Sequence, residues 1–235
     1  LQLVAHYIDC FGVYRSINQR TLGQSALRYT IFSLVKEIRN KNVDELAEIL
    51  KAKVESFDES LDGIWDFNLN QQNKRFVRYF LARITQFIED KSGINSHIDN
   101  YMADNIKQPA QIEHIWADIF DYHKDEFEQK SDFNWYRNTF GNLVLLPKGT
   151  NQSFNKDPYE KKLPHYLKQN LLAQTLHPDC YLRNPNFSNW YMAEGISFKP
   201  NTSFKKKDLE ERTGLYEQIA MKIWSPENFH EIANY

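Results

Sequence analysis

The sequence contains little cysteine, and its two cysteines are poorly placed for a structural metal. Cys10 and Cys180 are the only cysteines in 235 residues, and no Cys-x-x-Cys pair occurs. A four-cysteine zinc site needs closely spaced pairs of thiolates. That class of site is therefore excluded.

Three other features are missing. The sequence has no signal peptide and no uninterrupted apolar run near the roughly 20 residues that a membrane-spanning helix needs. It also has no Gly-rich phosphate-binding loop, so we expect no nucleotide hydrolysis from this chain. The simplest expectation is a soluble protein, not associated with a membrane, in a reducing, cytoplasmic setting.

Neither basic nor acidic residues are in clear excess in this sequence. The 29 basic and 31 acidic residues leave a formal net charge of −2, which argues against a uniformly basic surface. Contacts to nucleic acid would have to come from local patches. Lys205, Lys206 and Lys207 form one cluster, but acidic residues follow immediately, so a solvated helix face explains that cluster at least as well. A second group follows a predicted strand and consists of Lys148, Lys156, Lys161, Lys162 and Lys168, and within it Lys161 and Lys162 are the better candidates.

The N-terminal part of the sequence predicts helices. Apolar residues recur at helical spacing from Leu27 to Ile38 and again from Val43 to Val54. Asn42 can cap the second of these helices, with Glu45 three residues later. A further helix is predicted from about Asn73 to Asp90. Aromatic residues make up 14% of the chain, which supports a well-packed interior.

The centre of the chain predicts two short strands. Ile112 to Trp116 is an apolar stretch that presents Glu113 and His114, and Leu143 to Leu146 is an apolar run that follows Gly141. Together they predict a β-hairpin with an inserted loop. Thr150 can cap a following helix, which would place Asn151 and Asn155 one turn apart. Farther on, Pro178 to Phe187 is rich in turn-forming residues, and Pro185 to Trp190 is predicted to be an ordered aromatic loop.

Each of these signals has an ordinary explanation on its own. A histidine at a strand end is more often structural than catalytic, Gly141-Asn142 is a common turn, and Asn151 or Asn155 can simply cap a helix. Their order and spacing together favour a metal-assisted nuclease. Phosphodiester hydrolysis needs an activated water and charge neutralisation at phosphorus, which an imidazole and one hard cation can supply.

The strand, loop, strand and helix order resembles the ββα-metal core of HNH nucleases. The fuller sequence resembles the C-terminal domain of GmrSD-type modification-dependent restriction enzymes. The resemblance rests on Glu113-His114-Ile115, on Gly141 to Leu146, and on the asparagines that follow. It extends to a lysine-rich helix with Lys161, Lys162 and Tyr166, and to a closing helix from Leu209 to Trp224. The chain departs from the family in lacking a proline shortly after the histidine and in carrying an acidic, aromatic insertion through Phe140.

The resemblance implies roles for these residues. His114 would be the general base, and Asn142 would orient the histidine or brace the loop. Glu113 and Asn151, or Asn155 in its place, would hold Mg²⁺ or Mn²⁺ through oxygen atoms. The substrate would be DNA, contacted by the lysines that follow the second strand. A ParB-like, nucleotide-hydrolysing sensor domain would precede this part in the full-length protein, in a phage-defence or restriction setting.

The predicted fold is thus mostly α with a small β-hairpin, a helical domain bearing an HNH-like ββα-metal core. The predicted division is an N-terminal helical region (1–105), the nuclease core (106–175) and a C-terminal loop and helix (176–235). Two alternatives stay open. One is an inactive DNA-binding or protein-interaction module that retains the fold, and the other is a helical regulatory protein without a nucleic-acid role.

Overall fold

The structure is a computed structural model that describes residues 1–20, 22–149 and 156–234, with the backbone alone at residue 26. The chain divides into two compact units. The first comprises Leu1–Phe67 with Ala220–Tyr235, and the second comprises Asn68–Ile219. The predicted three-part division is a different partition, based on motifs, and stays a prediction.

The described chain is mostly helical and contains one two-stranded sheet. The strands are β1 (Ala110–His114) and β2 (Leu143–Pro147), and short 3-10 turns lie at Leu61–Ile64, Phe120–His123 and Phe140–Asn142. The helices are α1 (Gln2–Ile17), α2 (Gln24–Ile38), α3 (Val43–Glu55), α4 (Lys74–Lys91), α5 (Asp99–Met102), α6 (Lys130–Arg137), α7 (Tyr159–Tyr166), α8 (Leu171–Gln174), α9 (Pro178–Arg183), α10 (Pro185–Ala193), α11 (Lys206–Ile223) and α12 (Asn228–Ala233).

The first unit is built from helices α1, α3 and α12, which pack on one another. Helix α3 begins at the predicted capping box, in which Asn42 accepts from the Glu45 amide at 2.9 Å and the Glu45 carboxylate accepts from the Asn42 amide. The apolar stripe predicted on α2 is only partly buried. Leu34 is buried, whereas Ile31 and Val35 are 42% and 51% exposed.

The second unit surrounds the sheet with helices. The long helix α4 forms where the sequence predicts it, and it packs against β2 and α8. Phe80 on α4 contacts Phe140, with ring centroids 4.6 Å apart. A second cluster joins Trp116, Phe133 and Tyr166 to the buried side chains of β2. The sheet is therefore held in the interior by apolar contacts, and its ends are fixed in place.

The predicted hairpin is confirmed. Strands β1 and β2 pair antiparallel, with Ala110 opposite Pro147 and His114 opposite Leu143. Leu143 to Leu146 are all buried, as a continuous apolar strand requires. The helix predicted from Thr150 onward begins at residues outside the described part of the chain. The ββα core as a whole therefore remains a prediction, while the two strands are established.

The prediction of a turn-rich segment and an ordered aromatic loop from Pro178 to Trp190 is wrong. This segment forms the consecutive helices α9 and α10, each with a proline in its first turn. Proline is favoured there because its fixed φ suits a helix and its missing N–H is not needed. His177 also accepts a hydrogen bond from the Asp179 amide and caps α9. Among the described residues, no helix has the length and apolar character needed to cross a bilayer.

Candidate active site

The two predicted active-site residues of β1 lie at the end of the strand, where the pairing with β2 finishes. Glu113 is opposite Val144 and His114 is opposite Leu143. One residue farther, the Ile115 amide donates to the Asn142 carbonyl at 2.8 Å, so the backbone remains anchored beyond the strand. Because neighbouring residues in a strand point to opposite faces, the two side chains have different partners.

Glu113 is buried and forms an ion pair. Its exposed fraction is 4%, and its Oε1 accepts from Nζ of Lys162 at 2.7 Å. The same ammonium donates to the His114 carbonyl oxygen at 2.8 Å. Burial raises the pKa of Glu113 and lowers that of Lys162, while their mutual attraction opposes both shifts. Lys162 therefore fastens α7 to the end of β1 through two hydrogen bonds.

This placement separates Lys162 from the other lysines predicted to contact substrate. Lys162 is only 1% exposed and is bonded inside the protein, so the structure does not place it on the surface where a phosphate would arrive. Its predicted contact with substrate is corrected to an internal one with β1. Lys148, Lys156 and Lys161 are exposed, and none forms an ion pair with any described residue.

His114 is held by an asparagine that the sequence did not single out. Its Nε2 lies 3.0 Å from Oδ1 of Asn138. The Asn138 amide nitrogen donates to the Asn134 carbonyl at 2.8 Å, which fixes the amide with its oxygen toward the ring. We therefore assign the proton of the neutral imidazole to Nε2, where it is donated to Asn138. Nδ1 then carries the lone pair, and no described residue forms a hydrogen bond with it.

The surroundings of His114 keep the imidazole neutral. Burial lowers its pKa to about 3, followed in effect by the positive charge of Arg137 and, more weakly, by those of Lys162 and Lys74. The bond to Asn138 opposes this shift. A neutral imidazole can accept a proton or bind a metal, whereas an imidazolium can do neither. The positive charges around it also favour an anion at this position.

Asn142 braces the loop, one of the two roles predicted for it. Its side chain is fully buried, its Oδ1 accepts from the Trp116 amide at 3.0 Å, and its Nδ2 donates to the Arg137 carbonyl at 2.7 Å. It makes no hydrogen bond to the imidazole in the described structure. Asn138 orients His114 instead. The signal for Asn138 was local, since asparagine directly after a helix commonly ends it and leaves its side chain available.

The remaining predicted ligands, Asn151 and Asn155, lie outside the described residues. In the described part of the chain, no cluster of three or more His, Cys, Asp or Glu side chains is arranged to hold a metal. The described residues supply only some of the ligands that a divalent cation needs. His114 offers a free neutral nitrogen, but Oε1 of Glu113 is already bonded to Lys162. The second carboxylate oxygen of Glu113 and the two asparagines are the remaining predicted oxygen donors.

Comparison with known protein families adds a separate observation. A family model described as GmrSD restriction endonucleases, C-terminal domain, matches residues 54–215, which is more than half of the chain. The chain belongs to this family. The match includes β1, β2, α7 and every predicted site residue. Comparisons with curated proteins and with solved structures gave no match.

Membership of the GmrSD C-terminal family indicates the class of activity. It implies a nuclease of the restriction-endonuclease type, with DNA as the substrate. Nucleases of this kind usually use a divalent metal.

Proposed function

We propose that this domain is a metal-dependent DNA endonuclease of the HNH type, in which His114 accepts the proton of the attacking water. The observation that carries the proposal is the geometry of His114. Asn138 holds the imidazole by Nε2, and the second nitrogen is free of hydrogen bonds from the described residues. A catalytic histidine usually needs a hydrogen bond at one ring nitrogen to fix the ring and its tautomer, so that the other nitrogen can react.

The reaction follows from this arrangement. Nδ1 of His114 takes a proton from water while the water oxygen forms a bond to phosphorus, and the bond from phosphorus to the departing sugar oxygen breaks. The pKa of about 3 makes the imidazole a weak base in the free protein. A bound phosphodiester would offset the positive charges of Arg137 and Lys74 and raise that pKa. The substrate therefore strengthens the base that acts on it.

We propose Asn151, with Asn155 as the alternative, as oxygen ligands of Mg²⁺ or Mn²⁺. When bound, the cation would neutralise charge at the phosphoryl oxygens and at the leaving oxygen. Glu113 would contribute only its second carboxylate oxygen, because its first is bonded to Lys162. Its ion pair supports a positioning role for this residue, with the backbone of His114 held in place by the same lysine.

The remaining assignments belong to the same proposal. Lys148, Lys156 and Lys161 would contact DNA phosphates outside the reacting centre. The domain would act in the cytoplasm in restriction or phage defence, together with an N-terminal ParB-like sensor domain that hydrolyses nucleotides. Either one or both strands of the duplex would be cut.

Nicking of supercoiled plasmid DNA tests the proposal. We expect cleavage that requires Mg²⁺ or Mn²⁺, is lost in His114→Ala, and is retained in His97→Ala. His97 is an exposed histidine of the same unit and provides the matched control. Circular dichroism would verify that both variants fold. Cleavage by His114→Ala at the wild-type rate would contradict the assignment of His114.

One observation favours a second candidate, an inactive DNA-binding module that retains the fold. Glu113 is neutralised by Lys162, which removes one of the predicted metal ligands from easy reach. The same assay separates the two candidates. DNA binding without cleavage under either metal, at any enzyme concentration tested, would support the module and contradict the endonuclease.

A further inference from the structure

Arg137 is a half-buried residue whose charge has no matching partner in the part of the chain that the structure describes. It is the last residue of α6, and its Nε is buried with no hydrogen-bond acceptor. Among the described residues, no carboxylate lies within ion-pair distance of its guanidinium. Arg212 in the same unit shows the usual arrangement of a buried arginine. All three of its nitrogens donate, to Tyr216 Oη, Thr175 Oγ1 and the Leu172 carbonyl.

A buried guanidinium nitrogen without an acceptor lowers the stability of the folded protein, and Nε of Arg137 is such a nitrogen although the residue as a whole is half-buried. Burial lowers the pKa of Arg137, yet an arginine side chain stays charged in proteins. Glu113 and Asp118 attract it only from a distance, and Glu113 is already paired with Lys162. Buried polar groups are nearly always hydrogen-bonded, so an exception requires a specific explanation. A ligand that supplies the missing acceptors is one such explanation.

The position of Arg137 points to where that ligand would bind. Its carbonyl oxygen accepts from Asn142, which fixes its backbone, and the next residue, Asn138, holds the imidazole of His114. The charge of Arg137 is also the strongest single charge acting on His114. Arg137 therefore directly precedes the residue that holds the imidazole, its backbone is fixed, and its Nε has no acceptor among the described residues. Arginine offers its donors as a planar fork that matches two oxygens of a phosphate.

We propose that Arg137 binds the non-bridging oxygens of the scissile phosphodiester and completes its hydrogen bonds only when DNA is present. This assignment rests on the proposed nuclease function and adds a substrate-contacting residue to it. Negative charge on those oxygens grows as the water attacks, so a fixed cation there stabilises the transition state more than the ground state. The proposed contact also accounts for an arginine whose buried Nε has no acceptor among the described residues.

Two methionine variants test the proposal, because replacing Arg137 should reduce cleavage without reducing stability, whereas replacing Arg212 should reduce stability. Arg137→Met removes an unpaired charge, so we expect an unchanged or raised Tm. We also expect plasmid cleavage to fall by about 100-fold or more, as on removal of one transition-state donor. Arg212→Met, the matched control, should lower the Tm because it leaves three acceptors unpaired. A fall in Tm for Arg137→Met as large as that for Arg212→Met would overturn the proposal, as would unchanged cleavage.

A binding measurement keeps the test independent of catalysis. The probe is a duplex DNA oligonucleotide titrated at several salt concentrations, without divalent metal, using His114→Ala as the parent protein. We expect Arg137→Met to reduce the slope of log affinity against log salt by about 1, and Arg137→Lys to preserve that slope. In protein that retains His114, Arg137→Lys should still impair cleavage. An unchanged slope in Arg137→Met overturns the proposal. A wild-type protein that binds but never cleaves refutes the proposed function instead, and the slope still decides the role of Arg137.

Discussion

At the scale of single residues, the ion pair between Glu113 and Lys162 changes the role that the sequence predicts for each of them. The sequence treats Lys161 and Lys162 alike, as neighbouring members of a basic patch. In the structure they diverge, because Lys162 lies on the same face of α7 as the buried Tyr159 and Tyr166. The spacing of three and four residues was a usable signal for burial. The partner of Lys162 was not predictable, because it is 49 residues away in sequence.

Lys162→Met should lower the free energy of unfolding by about 3–5 kcal/mol, since it leaves the Glu113 carboxylate buried without compensation. The double variant Glu113→Leu/Lys162→Met removes both charges. It should therefore be more stable than Lys162→Met alone, as chemical denaturation would show. Strictly additive losses in this cycle would mean that the two side chains do not depend on each other.

The same residues separate a positioning role of Glu113 from that of a metal ligand. Glu113→Gln keeps the shape of the side chain but loses its charge. If Glu113 only positions β1, this variant should lose stability and leave the metal concentration needed for cleavage unchanged. A large increase in the metal requirement, with stability intact, would identify Glu113 as a ligand.

At the scale of elements, the hairpin was predictable because each strand has a strong local signature. A run of four apolar residues between Gly141 and Pro147 gives β2 almost to the residue. The helices α9 and α10 were missed because prolines and asparagines mark turns and also the first turns of helices. Only packing distinguishes the two, as in the edge-on contact of Trp190 with Phe87.

The approach of α11 to the 3-10 turn that precedes β2 depends on Gly141. A Cβ at this position would lie 2.5 Å from Oγ1 of Thr213 and closer still to the carbonyl oxygen of Leu209, which is backbone and cannot yield. Gly141→Ala should therefore lower the free energy of unfolding by about 1–3 kcal/mol. The control is Gly12→Ala in α1, where nothing lies within 4 Å. That change should raise stability by about 0.5–1 kcal/mol, because alanine is the better helix former.

Thermal unfolding of the two glycine variants distinguishes a steric clash at Gly141 from the general effect of replacing glycine by alanine. Opposite shifts in Tm, down for Gly141→Ala and up for Gly12→Ala, support a close approach of α11 to the turn that contains Gly141. A Gly141→Ala protein with unchanged Tm that still cleaves DNA would show that α11 can move away from this turn without loss of stability.

At the scale of the whole molecule, a net charge of −2 means that DNA binding depends on where charges are free. Lys205, Lys206 and Lys207 all have acidic neighbours: Asp125 and Glu126 for the first, Glu210 for the second and Glu211 for the third. Lys148, Lys156 and Lys161 have no such partners among the described residues. The sequence favoured the second group, and the ion pairs of the first give the physical reason.

Replacing Lys148, Lys156 and Lys161 together by alanine should weaken DNA binding and reduce the salt slope by roughly 1 per lysine. The matched control replaces Lys205, Lys206 and Lys207, whose charges are already partly neutralised, and should change the slope less. Titration of duplex DNA at several salt concentrations measures both. Equal changes in the two triple variants would contradict a localised binding surface.

The candidate site could be predicted from the sequence only as a set of residue types. Glu113, His114 and Asn142 were identified because they stand beside recognisable strands. Asn138 and Arg137 were not, since the insertion between the strands has no periodic pattern, and its return to β1 depends on tertiary contacts. The contacts of Asn142 with Trp116 and Arg137 are what bring that insertion back to the imidazole.

Restoration of cleavage by free imidazole tests the role of His114 most directly. The His114→Gly variant leaves space for the missing ring, and added imidazole can take up the proton that the side chain normally accepts. A proton-accepting His114 predicts that imidazole restores plasmid cleavage to His114→Gly but not to Arg137→Met. His114→Gly protein that cleaves as fast as wild type without imidazole would contradict the central claim.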